Sequence, residues 1–377
     1  MEITPFRIDV PQADLDDLAD RLARTRFTEE LPADASGDYG VRVDPIRELV
    51  RRWRDDFDWR AVEQRLNDLP QFTTVIDGQT IHFLHIRSAE PDAFPLILTH
   101  GWPGSFVEFL DVIGPLTDPA AHGGDPRRAF HVVIPSIPGF AFSGPTTEGG
   151  WNRYRTARAW ARLMAGLGYD EYGAHGNDAG SFIAPELGRV DPEHVVGVHV
   201  DQIYSFPSGD PAEFAGMSED ELAELTRLQE FSADKMGYNE LQSTQPQNLA
   251  HALADSPAGQ LAWSYQLFGD GVDPDFVLTN VAIYWFTRTT ASSMRFYWED
   301  RHTPDADKPQ GPTTVPLALA AFAHDFSGIK RFAHRDHADI VSWTEFDRGG
   351  HYPAHEVPEL LVGDLRRFFG GPADSPA

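Results

Sequence analysis

The chain has 377 residues, with 58 Asp and Glu against 31 Lys and Arg, a formal net charge of −27, and no cysteine. That acidity argues against nucleic acid or an anionic membrane surface as partner, and the missing thiols exclude a disulfide framework and a thiolate metal site. Hydrophobic residues at 41% and charged residues at 24% give the profile of a soluble globular protein long enough for two or three substructures.

The start, Met1-Glu2-Ile3-Thr4-Pro5, has neither a basic nor an apolar leader region. The longest apolar run, Val315 to Ala323, is far short of the about 20 residues that span a bilayer, so a cytoplasmic protein without a membrane partner is expected. Residues 1–71 read as an N-terminal helical region: Leu15, Leu18 and Leu22 lie on one helical face, and Ile46, Leu49, Val50 and Trp53 repeat the pattern. Asp58 stands where it would cap a third helix carrying Val62 and Leu66. This region bears no convergent chemistry and is assigned to covering the core, with a face that could support a homodimer.

From Phe72 the period changes. Ile81 to Ile86 alternates, and Phe94 to Thr99 and His131 to Pro135 are buried apolar runs with helical stretches between them. Val195 to Val200, Val315 to Phe322 and Ile340 to Phe346 read as later strands, and Leu360 to Phe369 as a closing amphipathic helix. Strands alternating with helices predict a largely parallel sheet, built from residues 72–205 and 311–377. Residues 206–310 have another character. Ser218 to Glu221 is a capping box, Pro257 sits at a first-turn position, and Phe276 to Tyr297 is long and aromatic-rich. This helical insert is expected to form a lid over the strand ends.

The chemistry centres on Tyr172 to Ser181, where an apolar approach ends in Asp178 between Gly176 and Gly180 and a helical sequence follows at once. Strand, sharp turn and helix make a nucleophile elbow, whose flanking residues are small because strand and helix nearly touch. A carboxylate in place of the usual serine is already an anion near neutral pH and needs no base to activate it. His100-Gly101-Trp102-Pro103 follows a predicted strand and forms a turn whose backbone N–H completes an oxyanion hole with the N–H of Ala179. Among 15 histidines, His351 alone lies on the loop after the last strand, where a base belongs in this chain order. Its acid is Asp325, after the Val315 to Phe322 strand, in preference to Asp201, after the preceding one. Tyr238 and Tyr297 lie in the insert; from residue type alone such phenols are core aromatics.

In aggregate these residues resemble the α/β-hydrolase-fold epoxide hydrolases of the microsomal type, which carry an extra N-terminal helical region. The resemblance runs through Asp58-Trp59-Arg60, Ile76-Asp77-Gly78, His100 to Pro103, Pro138 to Ser143, the elbow, Gly237-Tyr238, Asp255-Ser256-Pro257, Ser292 to Tyr297 and Arg348 to His351. It implies that Asp178 is the nucleophile, that Tyr238 and Tyr297 hold the epoxide oxygen, that Trp102 and Ala179 supply the hole, and that His351 with Asp325 activates water. It also implies a cis Trp102-Pro103 peptide, no metal and no organic cofactor. The chain departs from the family pattern at Ala179, where tryptophan is common, and at Phe322-Ala323-His324-Asp325, which lacks the usual proline. The expected reaction converts an apolar epoxide and water to a vicinal diol, in detoxification or in natural-product biosynthesis. A haloalkane or haloacid dehalogenase with the same aspartate chemistry is the alternative, and a non-catalytic binding protein of this fold is a third reading.

Overall fold

The computed structural model describes residues 1–32, 39–326 and 328–370. Among them, nine strands lie in one sheet: Thr4–Phe6 (β1), Gln71–Ile76 (β2), Gln79–Ile86 (β3), Phe94–Thr99 (β4), Phe130–Pro135 (β5), Tyr172–Gly176 (β6), Val195–Val200 (β7), Leu317–Ala321 (β8) and Ile340–Glu345 (β9). Their order is β1-β2-β3-β5-β4-β6-β7-β8-β9, antiparallel from β1 to β5 and parallel from there to β9. The side-chain period of two sends alternate residues to opposite faces. Leu96 and Leu98 enter one apolar layer with Val132, Ile134, Phe106 and Leu361, while Ile97 and Val133 enter the other with Trp160, Leu163, Ile183 and Leu187.

Three helices, Gln12–Ala23 (α1), Val43–Asp55 (α2) and Trp59–Asn67 (α3), precede β2. They bury Leu18, Leu22, Ile46, Leu49, Val50, Trp53 and Leu66, and Asp58 caps α3 by accepting from the Arg60 and Ala61 N–H groups. The first 71 residues are not helical throughout, however. Thr4–Phe6 pairs with Gln71–Ile76 as an edge strand, and three residues are too few for a period to register in sequence.

Leu110–Thr117 (α4), Arg153–Leu167 (α5) and Ala179–Val190 (α6) connect the central strands. Between β7 and β8 come Glu219–Asp234 (α7), Gly237–Thr244 (α8), Pro246–Asp255 (α9), Pro257–Phe268 (α10), Pro274–Thr287 (α11) and Thr290–Arg301 (α12). The Ser218 capping box and Pro257 at a first turn are both present. The aromatic stretch from Phe276 to Tyr297 is two helices, because Arg288 adopts φ 55° and the Arg288 and Thr289 N–H groups close onto the Trp285 and Tyr284 carbonyls. Lys330–Asp336 (α13), Pro353–Glu356 (α14) and Pro358–Phe369 (α15) complete the chain. β8 is shorter than its apolar run because Pro316 has no N–H for the ladder, although its carbonyl accepts from Val198. No helix among the described residues is long and apolar enough to cross a membrane.

Candidate active site

The parallel strands all end on one edge of the sheet, and the loops that follow them carry the polar residues. Gly101 and Trp102 follow β4, Asp178 follows β6, Asp201 and Gln202 follow β7, Asp325 follows β8, and His351 follows β9. Residues far apart in the chain thereby meet at the carboxyl ends of the strands, where open α/β sheets place their sites.

Asp178 sits at the turn between β6 and α6 with φ 52° and ψ −114°, a conformation that costs a non-glycine residue about 1–3 kcal/mol. The turn can be this tight only because its neighbours have no side chain. A Cβ on Gly180 would lie 1.9 Å from the Thr99 carbonyl oxygen, and one on Gly101 would lie 2.1 Å from Asp178 Oδ1. The space freed at Gly101 lets the Trp102 N–H donate to Asp178 Oδ1 at 2.8 Å, and the Ala179 N–H donates to the same carboxylate. The peptide between Trp102 and Pro103 is cis.

The other oxygen, Oδ2, lies 3.7 Å from His351 Nε2. On its far side the imidazole Nδ1 meets both oxygens of Asp325 at 3.1 Å, so the structure brings Asp325, and not Asp201, to His351. Burial by itself would lower the His351 pKa, but the charge and hydrogen bond of Asp325, with Asp178 and Glu108 beyond, raise it to about 10. The resting pair is therefore an imidazolium between two carboxylates. Burial raises the Asp178 pKa, opposed by that imidazolium and by the two N–H donors.

Tyr238, from α8, and Tyr297, from α12, face this carboxylate across Trp102. Their ring centroids lie 5.9 and 6.1 Å from the indole and 6.3 Å from each other. Burial and then the Asp178 charge push both phenol pKa values up, so both hold their protons. Among the described residues neither hydroxyl bonds within the protein, whereas the nearby Tyr284 hydroxyl is committed to the Gly104 carbonyl at 2.7 Å. The two phenols are thus free donors rather than satisfied core aromatics.

Several residues here are not singled out by sequence reasoning. Asn177 donates to the His351 carbonyl at 2.9 Å and to Glu108 Oε1 at 3.3 Å, and burial holds Glu108 well above the usual carboxylate range. Gln202 bonds Asn177, Asp178, Ser181 and Asp325. Tyr204 stacks between Phe182, at 4.5 Å, and Phe326, at 5.5 Å, within the field of Asp178. The one available signal was position: Asn177 lies inside the elbow, and Gln202 and Tyr204 follow a strand that ends in the site.

Behind the site, His175, His199 and Asp201 form the group of possible metal ligands among the described residues. The two Nδ1 atoms are 3.0 Å apart and bonded to each other, His199 Nε2 meets Asp364 at 3.0 Å, and His175 Nε2 lies 3.6 Å from Asp201. The inward nitrogens are used on each other, while among the described residues His175 Nε2 and both Asp201 oxygens are buried without a hydrogen-bond partner; burial lifts Asp201 well above the carboxylate range and depresses His175.

Strand order and elbow define a hydrolase of the α/β-hydrolase fold whose elbow carries a carboxylate, Asp178. Comparison with known proteins narrows this. Residues 3–109 match the epoxide hydrolase N-terminus family and residues 95–285 the alpha/beta hydrolase fold family. A Stigmatella aurantiaca protein whose name assigns it to the epoxide hydrolases is 42% identical over 97% of this chain and 84% of its own. Epoxide hydrolase 1 of Sus scrofa is 32% identical over 98% of this chain and 88% of its own. The structure of Aspergillus niger epoxide hydrolase superposes with a TM-score of 0.85 at 30% identity, covering 98% of this chain and 96% of that one. The chain belongs to the epoxide hydrolase family.

Proposed function

We propose that the chain hydrolyses an apolar epoxide to a vicinal diol through an ester on Asp178. The observation that carries this reading is the division of the Asp178 carboxylate: the Trp102 N–H donates to Oδ1, with the Ala179 N–H donating to the same carboxylate, while Oδ2 faces His351. Oδ2 attacks one epoxide carbon and the ring C–O bond breaks. Tyr238 or Tyr297 donates its proton to the departing alkoxide. The aromatic surround of Trp102, Tyr238, Tyr297 and Phe296 supports an apolar substrate, and helices α7 to α12 would act as the lid.

Ester formation removes the Asp178 charge. That lowers the pKa of His351 and of both phenols together, because each was raised in part by that carboxylate. The imidazolium returns a proton to the tyrosinate and becomes the base its position requires. His351, held by Asp325, then deprotonates a water that adds to the ester carbonyl carbon. The oxyanion forms on Oδ1, already in the N–H cradle, and its collapse releases the diol with Oδ2. His351 gives up its proton to the departing diol alkoxide, and the carboxyl group left on Asp178 returns its proton to His351, so one epoxide and one water yield one diol and the resting pair is restored.

Single turnover in heavy-oxygen water tests this. Label is expected in the peptide containing Asp178, with the first diol unlabelled; label in the first diol and none in Asp178 would refute the ester. Halide release from chloroalkanes without diol formation would favour the dehalogenase alternative. The proposed reaction consumes only an epoxide and water.

A further inference from the structure

Gln202 is the first residue after Asp201 at the end of β7, and its side chain is fully buried. Its Oε1 accepts from the backbone N–H of Asp178 at 2.8 Å and from the Ser181 hydroxyl at 2.9 Å. Its Nε2 donates to Asn177 Oδ1 at 2.7 Å and to Asp325 Oδ2 at 2.5 Å. Both N–H donors of the amide are used, and Oε1 accepts from the Asp178 N–H while sharing the single Ser181 hydroxyl proton with the Gly176 carbonyl, 2.7 Å from that hydroxyl. The orientation follows from chemistry. The Asp178 peptide can only donate and the Asp325 carboxylate can only accept, so the amide cannot be turned over.

One side chain therefore joins the peptide of the nucleophile to the carboxylate that holds the base. Asp178 occupies a strained turn, and its buried N–H turns away from the substrate side toward Gln202, where an unpaired N–H would be costly. Asp325 would otherwise be free to rotate about its carboxyl axis, and the Nε2 donor fixes which edge meets His351 Nδ1. Asn177 extends the link to the His351 backbone carbonyl. Nucleophile and acid are thus tied through the Gln202 amide, and the base loop is joined to them through that of Asn177.

We propose that Gln202 is a positioning residue for the hydrolytic half of the reaction, setting the Asp325–His351 pair relative to the ester on Asp178. The inference rests on the ester reading above. Alkylation needs only the Asp178 carboxylate in place, which the Trp102 and Ala179 N–H groups also hold. Ester hydrolysis needs the oriented histidine, and for that Asp325 depends on Gln202.

The experiment resolves alkylation from hydrolysis by rapid quench of the full-length enzyme with an aryl epoxide, following the ester on Asp178. Gln202→Met is close in shape and makes none of the four bonds. It is expected to lower the ratio of hydrolysis to alkylation by about 10- to 100-fold, the range for one lost hydrogen bond to a charged group, so that the ester accumulates. Gln202→Glu adds a second readout. The titratable groups around it are Asp178, Asp325, Glu108 through Asn177, His351 beyond Asp325, and Asp201 next in the chain. While protonated, the new carboxyl has a single O–H to give Asp325, the bond to Asn177 Oδ1 is lost, and hydrolysis is expected to be faster than in Gln202→Met. On ionisation the donor is lost, and the hydrolysis profile gains a downward break with rising pH that the wild type lacks. A Gln202→Met ratio within about threefold of wild type, or a Gln202→Glu profile matching wild type, overturns the proposal. If the methionine variant does not fold, the glutamate profile decides. Absence of any ester in the wild type refutes the underlying reading instead.

Discussion

Gly101→Ala is the most direct probe of how the site is assembled. The added Cβ would lie 2.1 Å from Asp178 Oδ1 and 2.3 Å from Asp178 Cβ. Neither partner is the loose end of a flexible side chain, so the carboxylate and the turn must separate by more than about 1 Å to reach ordinary contact. That displacement lengthens the 2.8 Å bond from the Trp102 N–H to Oδ1, the atom that carries the negative charge during ester hydrolysis. Losing one oxyanion donor costs about 10²–10³-fold, and a 1 Å misplacement alone about 10²-fold. Hydrolysis of the Asp178 ester should therefore slow by about 10²–10³-fold, with a loss of stability of about 1–3 kcal/mol from overpacking. Rapid-quench measurement of ester decay and a urea denaturation curve give the two quantities. A variant that decays its ester at the wild-type rate while folded would refute the assignment of the Trp102 N–H to the oxyanion.

Two further outcomes separate the acids and the charges. Asp325→Asn is expected to slow ester hydrolysis by about 10²–10⁴-fold, by analogy with loss of the orienting carboxylate in catalytic triads. Asp201→Asn should stay within a few-fold of wild type, since His351 Nδ1 meets Asp325 while Asp201 lies against His175; the reverse order in quench kinetics would transfer the role to Asp201. The His351 pKa, raised to about 10 from an ordinary value near 6.5, also predicts a pH dependence of stability. Its contribution is fully present below pH 6.5 and disappears as pH rises through about 10. The stability advantage of wild type over His351→Gln should shrink across that window in denaturation curves, and a constant difference would contradict the imidazolium.

Much of this molecule is legible because its signals are local. Strand periods at Phe94–Thr99 and Val195–Val200, the Asp58 cap, the Ser218 capping box and the glycines around Asp178 each report on interactions within a few residues. The short edge strand Thr4–Phe6 escapes that reading, since it exists only through pairing with residues near position 72. So does the break at Arg288, where a left-handed residue of ordinary chemistry interrupts a continuous apolar stretch.

Sequence alone determined the elbow with its carboxylate Asp178, the placing of aspartates and His351 after successive strands, and the need for small residues at the elbow, because these follow from one strand-turn-helix unit and its neighbours. Tertiary structure decided which aspartate reaches His351, for Asp201 and Asp325 both follow strands and differ only in where the loop folds back. It also decided that Tyr238 and Tyr297 keep free hydroxyls and that Gln202 spans the site. The four hydrogen bonds of Gln202 join residues 21, 24, 25 and 123 positions away. The amide's capacity is written in its residue type, whereas its partners are chosen by the packing of three strands side by side.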